Sequence, residues 1–380
     1  MKKQLKVFHL LANFRWTGPA EGVVGLCRDL IKAGHQVRLF TTPHPSRLLA
    51  DKAAERAVIP SEDLWLARKH PLLTGWDILR LKRILEKEKP DILHLHLSGD
   101  HWIGALAARW AAGPTRVVRT IHHPRTIPRR MFQTWLYEKG TDAFITLSKA
   151  DRDRMLEIYS ISPERVSVIH GAVDTDRFHP DYDPRPVRAE FGIKPGAPVI
   201  GLVARFQPHR GHEGLISSVP ELRKHLPAVR VILVGRGEHR PAMEQLVKRL
   251  GLEHHVLFAG YRDRDLPQVY GAMDVKVFLE SGSDTSCRAV LEAMACGLPV
   301  VAHPVGALPD TVVNGVTGYL VPRGDTARLI KRLIELLEDR VSARKMGDAG
   351  RSRIEEDFSE AARREKTEAF YDSILSRSSG

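Results

Sequence analysis

Four side chains in two short segments have the types and spacing for group transfer at a phosphorylated substrate. In FLESGSDTSCRAVLEAMACGLPVVA, Asp284 and Glu292 stand eight residues apart, with the small hydrogen-bonding residues Thr285 and Ser286 just after the first. A helix starting near Thr285 or Ser286 places Asp284 at or before its cap, leaves loop N–H groups beside it and projects Glu292 from the second turn. Anion-binding amides and two carboxylates for hydroxyl groups then lie together. Taken alone, Asp284 reads as an N-cap and Glu292 as a partly buried acceptor. In ARFQPHRG, Arg205 and Arg210 follow an apolar run. Their fixed charge and donor forks suit the paired phosphoryl groups of a diphosphate, and a solvated surface pair is the alternative.

The elements that must hold these residues are legible as alternation. Short β-rich runs (VFHLLA, QVRLFTT, DILHLHL, RVVRTI, DAFITLS, then VIGLVARF, VRVILVG, HVLFAG, VKVFLE, LPVVAH and GYLVP) are separated by helix-like segments. Such alternation predicts parallel α/β sheets, and 380 residues suffice for two domains. A polar, Pro-rich stretch, HPDYDPRPVRAEFGIKPGAP, has the composition of a hinge. The expected organisation is therefore a first doubly wound, Rossmann-like domain at 1–178, a linker at 179–197 and a second such domain at 198–355. A closing helix at 356–380 is free to pack back on the first domain. Its candidate apolar residues Phe358, Ala361, Ala362, Ala369 and Phe370 make only a rough face. In doubly wound sheets ligands bind at the carboxyl ends of strands, so the two domains should face each other across a ligand cleft. The first such loop, NFRWTGPAEG, carries Gly18 and Gly22 but no G-x-G-x-x-G, which argues against a dinucleotide-binding dehydrogenase. A helix beginning near Ala20 would turn its free N–H groups toward that cleft.

Composition narrows the class further. Three cysteines, Cys27, Cys287 and Cys296, are too few for a disulfide framework and lack zinc-site spacing, which fits a reducing cytoplasm. No run is apolar and long enough to span a membrane. The net charge is +12, with Lys+Arg against Asp+Glu at 30 to 21 in residues 1–185 and 28 to 25 thereafter. A basic first half suits anionic partners, and a purely solubilising excess is the alternative. Asp-x-Asp patterns at 151–153, 174–176 and 263–265 sit in a linker element and in DRDR runs that read as solvated helix starts, so no metal site is expected.

These segments together resemble the retaining nucleotide-sugar glycosyltransferases of GT-B fold, family 4 (glycosyltransferases group 1), over nearly the whole chain. ARFQPHRGHEGLISSV is similar to the family's G-R-(x)4-K-G element, and DTSCRAVLEAMACGLPVVA to its E-x7-E segment. VSVIHGAVDTDRFHP and ALPDTVVNGVTGYLVPRGD resemble two further family elements, while DILHLHL and VVRTIHH resemble strands that deliver family histidines to the cleft. The resemblance implies a role for each matched residue. Arg205 and Arg210 hold the donor diphosphate, assisted by amides near Thr285 and Ser286. Asp284 grips hydroxyls of the transferred sugar, Glu292 grips the ribose, and His122 meets the sugar's primary hydroxyl. His96 serves the acceptor side or stands behind His122, and Gly18 opens the first domain's helix toward the donor. Arg210 stands where the family more often has lysine, Asp284 where it has glutamate, and Pro19 where a second glycine is frequent. No cofactor or metal is implied, only a nucleoside-diphosphate sugar as co-substrate and a glycan or lipid-linked acceptor, as in cell-envelope glycolipid, lipopolysaccharide or polysaccharide synthesis.

One further segment, HHPRTIPRRMFQTWLYEK, joins Arg125, Arg129 and Arg130 to Met131, Phe132, Trp135 and Leu136 at the spacing of one helical face. It fits either an interfacial helix on anionic membrane, giving a cytoplasmic protein a peripheral place on the inner face, or an ordinary sheet-covering helix. A GT-B sugar-nucleotide epimerase or phosphorylase is the nearer functional alternative. A nucleic-acid-binding protein is the remote one, since no recognition motif and no stacking-aromatic pattern accompanies the positive charge.

Overall fold

The computed structural model describes residues 3–66, 70–123, 131–280 and 286–377. The chain divides into two compact units: residues 1–171 with 360–380 (and the short stretch 283–286), and residues 172–282 with 287–359. Each is built on a six-stranded sheet whose pairings are all parallel among the described residues.

The first sheet comprises β1 (Lys6–Leu11), β2 (Gln36–Thr41), β3 (Ile92–Leu95), β4 (Arg116–Ile121), β5 (Ala143–Thr146) and β6 (Val166–Val168), in the order β2-β1-β3-β4-β5-β6. Helices on both faces leave its central strands buried, so that β1 and β3 are apolar apart from Lys6, His9 and His94, while β4 buries Arg119 and Thr120 beside Val117, Val118 and Ile121. The order reverses between β1 and β3, and a doubly wound sheet opens a ligand crevice at such a point. The second sheet comprises β7 (Val199–Val203), β8 (Arg230–Val234), β9 (Val256–Gly260), β10 (Val275–Phe278), β11 (Val300–Ala302) and β12 (Gly318–Leu320). Its order is β12-β11-β10-β7-β8-β9, with the switch between β7 and β10. Helices close its faces with regularly spaced leucines, as in Thr326–Glu338, which buries Leu329, Leu333, Leu336 and Leu337 and is capped by Asp325.

The boundary between the units differs from the sequence reading, the second unit beginning at residue 172. The stretch 179–197, expected as a linker, belongs to the second unit: Val187, Ile193 and Ala197 are buried in that unit's core, as is Phe178 just before it. Arg188 ties the stretch to Asp274 at 2.9 Å, and the same carboxylate accepts from Val199 N at the start of β7. The composition is that of a linker because only these few apolar positions face inward.

The C-terminal helix Glu360–Ser376 groups with the first unit and lies on the helix Gly18–Lys32. Its weak amphipathicity has a physical cause, for the face it buries is largely polar and internally paired. Arg363 donates to Gly22 O and meets Asp29 at 3.2 Å, and Glu368 faces His35 at 3.3 Å. Phe370, Tyr371 and Ile374 complete the contact with Leu26 and Leu30.

Candidate functional site

Among the residues singled out for donor binding, the second unit carries Arg205 and Arg210 after β7 and Glu292 on the helix that follows β10. The loop after β7 carries exposed Arg205 and half-buried Arg210 before the helix His212–His225 begins. That loop is laced to the one after β8: Ala204 N donates to Val234 O, Phe206 N to Arg236 O and His239 N to Phe206 O, at 3.0–3.1 Å. So close an approach requires glycine, because a Cβ on Gly235 would stand 2.0 Å from Ala204 O and one on Gly237 2.1 Å from Phe206 O. Sequence reasoning passed over this G-R-G, whose signal was two glycines directly after an apolar strand. A cavity of about 350 Å³ opens beside these loops, lined by Gln207, His209, Arg210, His239, Glu280 and His303.

Glu292 is buried on the helix Arg288–Ala295. Its carboxylate accepts from the Tyr270 hydroxyl at 3.0 Å and from Arg288 Nε at 3.0 Å. Burial and the neighbouring carboxylate push the Tyr270 phenol well above its ordinary range, so it remains a proton donor. The helix starts at Arg288, later than expected, behind Cys287 in a left-handed conformation (φ 50°) that offers no side-chain cap. Ser286 lies in the turn before it, and Asp284 and Thr285 lie outside the described residues. His212 stacks on Phe206 with ring centroids 4.3 Å apart. Burial, together with Arg210 and Lys276, lowers its pKa to about 4, so the ring is neutral at pH 7.

The first unit brings histidines together at its own switch point. His9 on β1 and His94 on β3 are joined by His96, just past β3, and by His122, just past β4. His9 Nδ1 and His96 Nε2 share a hydrogen bond at 3.0 Å, and His96 Nδ1 lies 3.4 Å from His122 Nε2. His94 is held by the Tyr371 hydroxyl at 2.6 Å and the Thr120 hydroxyl at 2.7 Å. Burial drives the His9 and His122 pKa values down to about 3 and those of His94 and His96 well below normal, with buried Arg119 adding to the effect at His94, His96 and His122. All four rings are neutral at pH 7. His9, His94 and His96 each offer a nitrogen within 4.8 Å of the others and so have the composition of a metal site. Yet the His9–His96 bond and the two hydroxyls on His94 already engage these rings as a polar network. His9 and His94 were not anticipated from sequence.

Nearby, Asp100 accepts from Ala12 N at 3.1 Å and Leu97 N at 2.8 Å and pairs with Arg119 at 3.2 Å, fixing the loop after β1 to the one after β3. Gly18 opens the helix Gly18–Lys32, behind Thr17, whose hydroxyl accepts from Ala20 N. Pro19 removes one N–H from that first turn.

The segment proposed for membrane contact falls mostly outside the described residues: Arg125, Arg129 and Arg130, and the Phe132 side chain. Of the rest, Leu136 is buried in the first unit's core, while Trp135 is 40% exposed and stacks on Trp102. The Asp-x-Asp aspartates serve local structure. Asp174 accepts from Asp176 N and Arg177 N, Asp263 pairs with Arg177, and Asp265 pairs with Arg262.

Residues 16–177 match the family model described as Glycosyltransferase Family 4, and residues 185–353 the one described as Glycosyl transferases group 1. A GDP-mannose-dependent alpha-(1-6)-phosphatidylinositol monomannoside mannosyltransferase of Mycolicibacterium smegmatis is 31% identical over 306 residues, spanning 73% of this chain and 79% of its own. An N-acetyl-alpha-D-glucosaminyl L-malate synthase of Bacillus anthracis is 26% identical over 371 residues, 93% of this chain and 92% of its own. Among solved structures, a glycosyltransferase of Rickettsia africae superposes with a TM-score of 0.87 at 20% identity, covering 98% of this chain and 99% of its own. The Anabaena protein HepE in complex with UDP-glucose superposes with a TM-score of 0.80 at 21% identity, covering 97% and 100%. At these identities the structures speak for the fold, which is GT-B.

Proposed function

Because the chain belongs to glycosyltransferase family 4, the glycosyl transferases group 1, we propose that it moves a sugar from a nucleoside-diphosphate sugar to a hydroxyl acceptor, with retention of anomeric configuration and without a metal ion. The observation that carries this reading is the grouping of Arg205, Arg210 and Glu292 around the β7–β10 switch point of the second sheet. Two guanidiniums suit the diphosphate and offset the charge that develops on it as the glycosidic bond breaks. Glu292, oriented by Tyr270 and Arg288, suits the paired hydroxyls of a ribose. Asp284 and the amides near Thr285 and Ser286 are assigned to the sugar and phosphates, and His122, backed by His96, to the transferred sugar. Gly18 is assigned to the donor side of the first unit's helix. In the retaining reaction the departing phosphate oxygen takes the acceptor proton on the face it leaves, so no protein nucleophile is needed.

Transfer should proceed in excess EDTA, and NMR of the first-formed product should show the donor's anomeric configuration. Activity lost to EDTA and restored by manganese or magnesium would overturn the metal-free part. An inverted anomer would overturn retention, and a free sugar phosphate or an epimerised sugar nucleotide would favour the phosphorylase or epimerase alternative.

A lipid-linked acceptor in cell-envelope synthesis, reached from the inner face of the cytoplasmic membrane, is the second part of the proposal. No helix among the described residues is long and apolar enough to cross a membrane. Supporting a peripheral contact are the basic excess of the first half and an exposed stripe on the helix Pro71–Glu88. There Leu72, Trp76 and Leu79 recur at helical spacing beside Arg80 and Arg83. The protein should float with anionic but not neutral vesicles at low salt. Failure to float with anionic vesicles would point to a soluble acceptor.

A further inference from the structure

The second unit buries a lysine that the proposed function leaves unused. Lys276 is 0% exposed in the middle of β10, where register places it beside Gly201 of β7 and Val300 of β11. Its ammonium makes no hydrogen bond among the described residues. The neighbouring positions on that face of the sheet, Val300 and Phe278, belong to an apolar core that a methionine or leucine would continue without an unpaired charge. The groups that face the amine are Glu292 from the helix Arg288–Ala295, which also engages Tyr270 and Arg288, and Arg210 and His212 from the loop and helix after β7. Burial brings the amine down to about 7, with Arg210 pressing the same way and Glu292 opposing. The single Glu292 carboxylate is shared with Arg288, so Lys276 and Arg210 are left with an excess of positive charge whose repulsion a further anion would relieve. A ribose hydroxyl would satisfy a donor but would not offset that repulsion, whereas a phosphate does both.

We propose that Lys276 is a third cation of the donor-diphosphate site, reaching the phosphates from the central strand of the sheet while Arg205 and Arg210 hold them from the loop after β7. The inference rests on the donor reading given above. It adds a specificity-determining group, selecting a diphosphate over an uncharged nucleoside.

The test is titration of UDP and GDP by calorimetry, and of uridine and guanosine by ligand-observed NMR, with wild type, Lys276→Met and Lys276→Gln. Losing a charge-assisted hydrogen bond should weaken the preferred diphosphate about tenfold or more, while its nucleoside stays within about twofold. At pH 7.5, wild type should take up protons on binding the diphosphate, seen as a dependence of the heat on buffer ionisation, and Lys276→Met should not. Methionine matches the lysine stem and removes a buried charge, so folding should hold. If its melting is not cooperative, Lys276→Gln carries the same comparison. Unchanged diphosphate affinity would overturn the inference while leaving the donor reading intact. Equal losses for nucleoside and diphosphate would also overturn it, because Lys276 would then act through Glu292. If wild type binds neither diphosphate, the donor reading itself fails and the role of Lys276 fails with it.

Discussion

Replacing Arg205 or Arg210 with alanine should lower turnover by about a hundredfold or more in each case, the usual cost of deleting one preorganised donor to developing charge. Arg205 is exposed and Arg210 is half-buried in a loop, so neither substitution opens the apolar core and the melting temperature should change little. The effect should appear in kcat as well as kcat/KM, since the charge on the leaving diphosphate is greatest as the glycosidic bond breaks. Steady-state nucleotide release, measured beside a thermal melt, separates the two quantities. Near-normal turnover in a folded variant would remove that arginine from the diphosphate site.

Acid should destabilise the first unit sharply. His9 and His122 have folded pKa values of about 3, and His94, His96 and His101 are likewise held well below normal by burial. In the unfolded chain each titrates near 6.5. Between the folded and unfolded values the unfolded state binds more protons, so stability rises with pH there. It is fully present above about 6.5 and is lost as the pH falls toward the folded values. Each such group contributes a slope of up to about 1.4 kcal/mol per pH unit, so the melting temperature should fall by about 10 °C or more between pH 8 and pH 5. His9→Gln should flatten that slope by about one group's share, whatever it does to stability at pH 8. A melting temperature independent of pH across this range would contradict the neutral, buried state of these rings.

The histidine network also marks the limit of what the chain reveals before it folds. The strands were readable because parallel strands buried on both faces become apolar runs, and the loops after β7 and β10 drew attention through Arg205, Arg210 and Glu292. His9 gave no signal, for a single histidine in VFHLLA matters only because β1 pairs with β3 and so places it beside His94 and His96. Lys276 was hidden in the same way: in VKVFLE it reads as an outward-facing position, and only the placement of β10 between β7 and β11 encloses it. The stretch 179–197 misled through composition, because Val187, Ile193 and Ala197 are too sparse to outweigh its prolines and charges. The closing helix was faint because Arg363 and Glu368 are buried with partners from the helix Gly18–Lys32 and from His35 just beyond it.

The donor site is tested most directly by thermal melting of the wild-type protein against a panel of UDP-, GDP- and ADP-sugars with their free nucleotides. A ligand at about 100 times its dissociation constant adds ~2.7 kcal/mol to the stability of the state that binds it. One base should raise the melting temperature well above the others, with its diphosphate and its sugar both active. A protein that melts identically with every member of the panel would contradict a nucleoside-diphosphate sugar as the substrate.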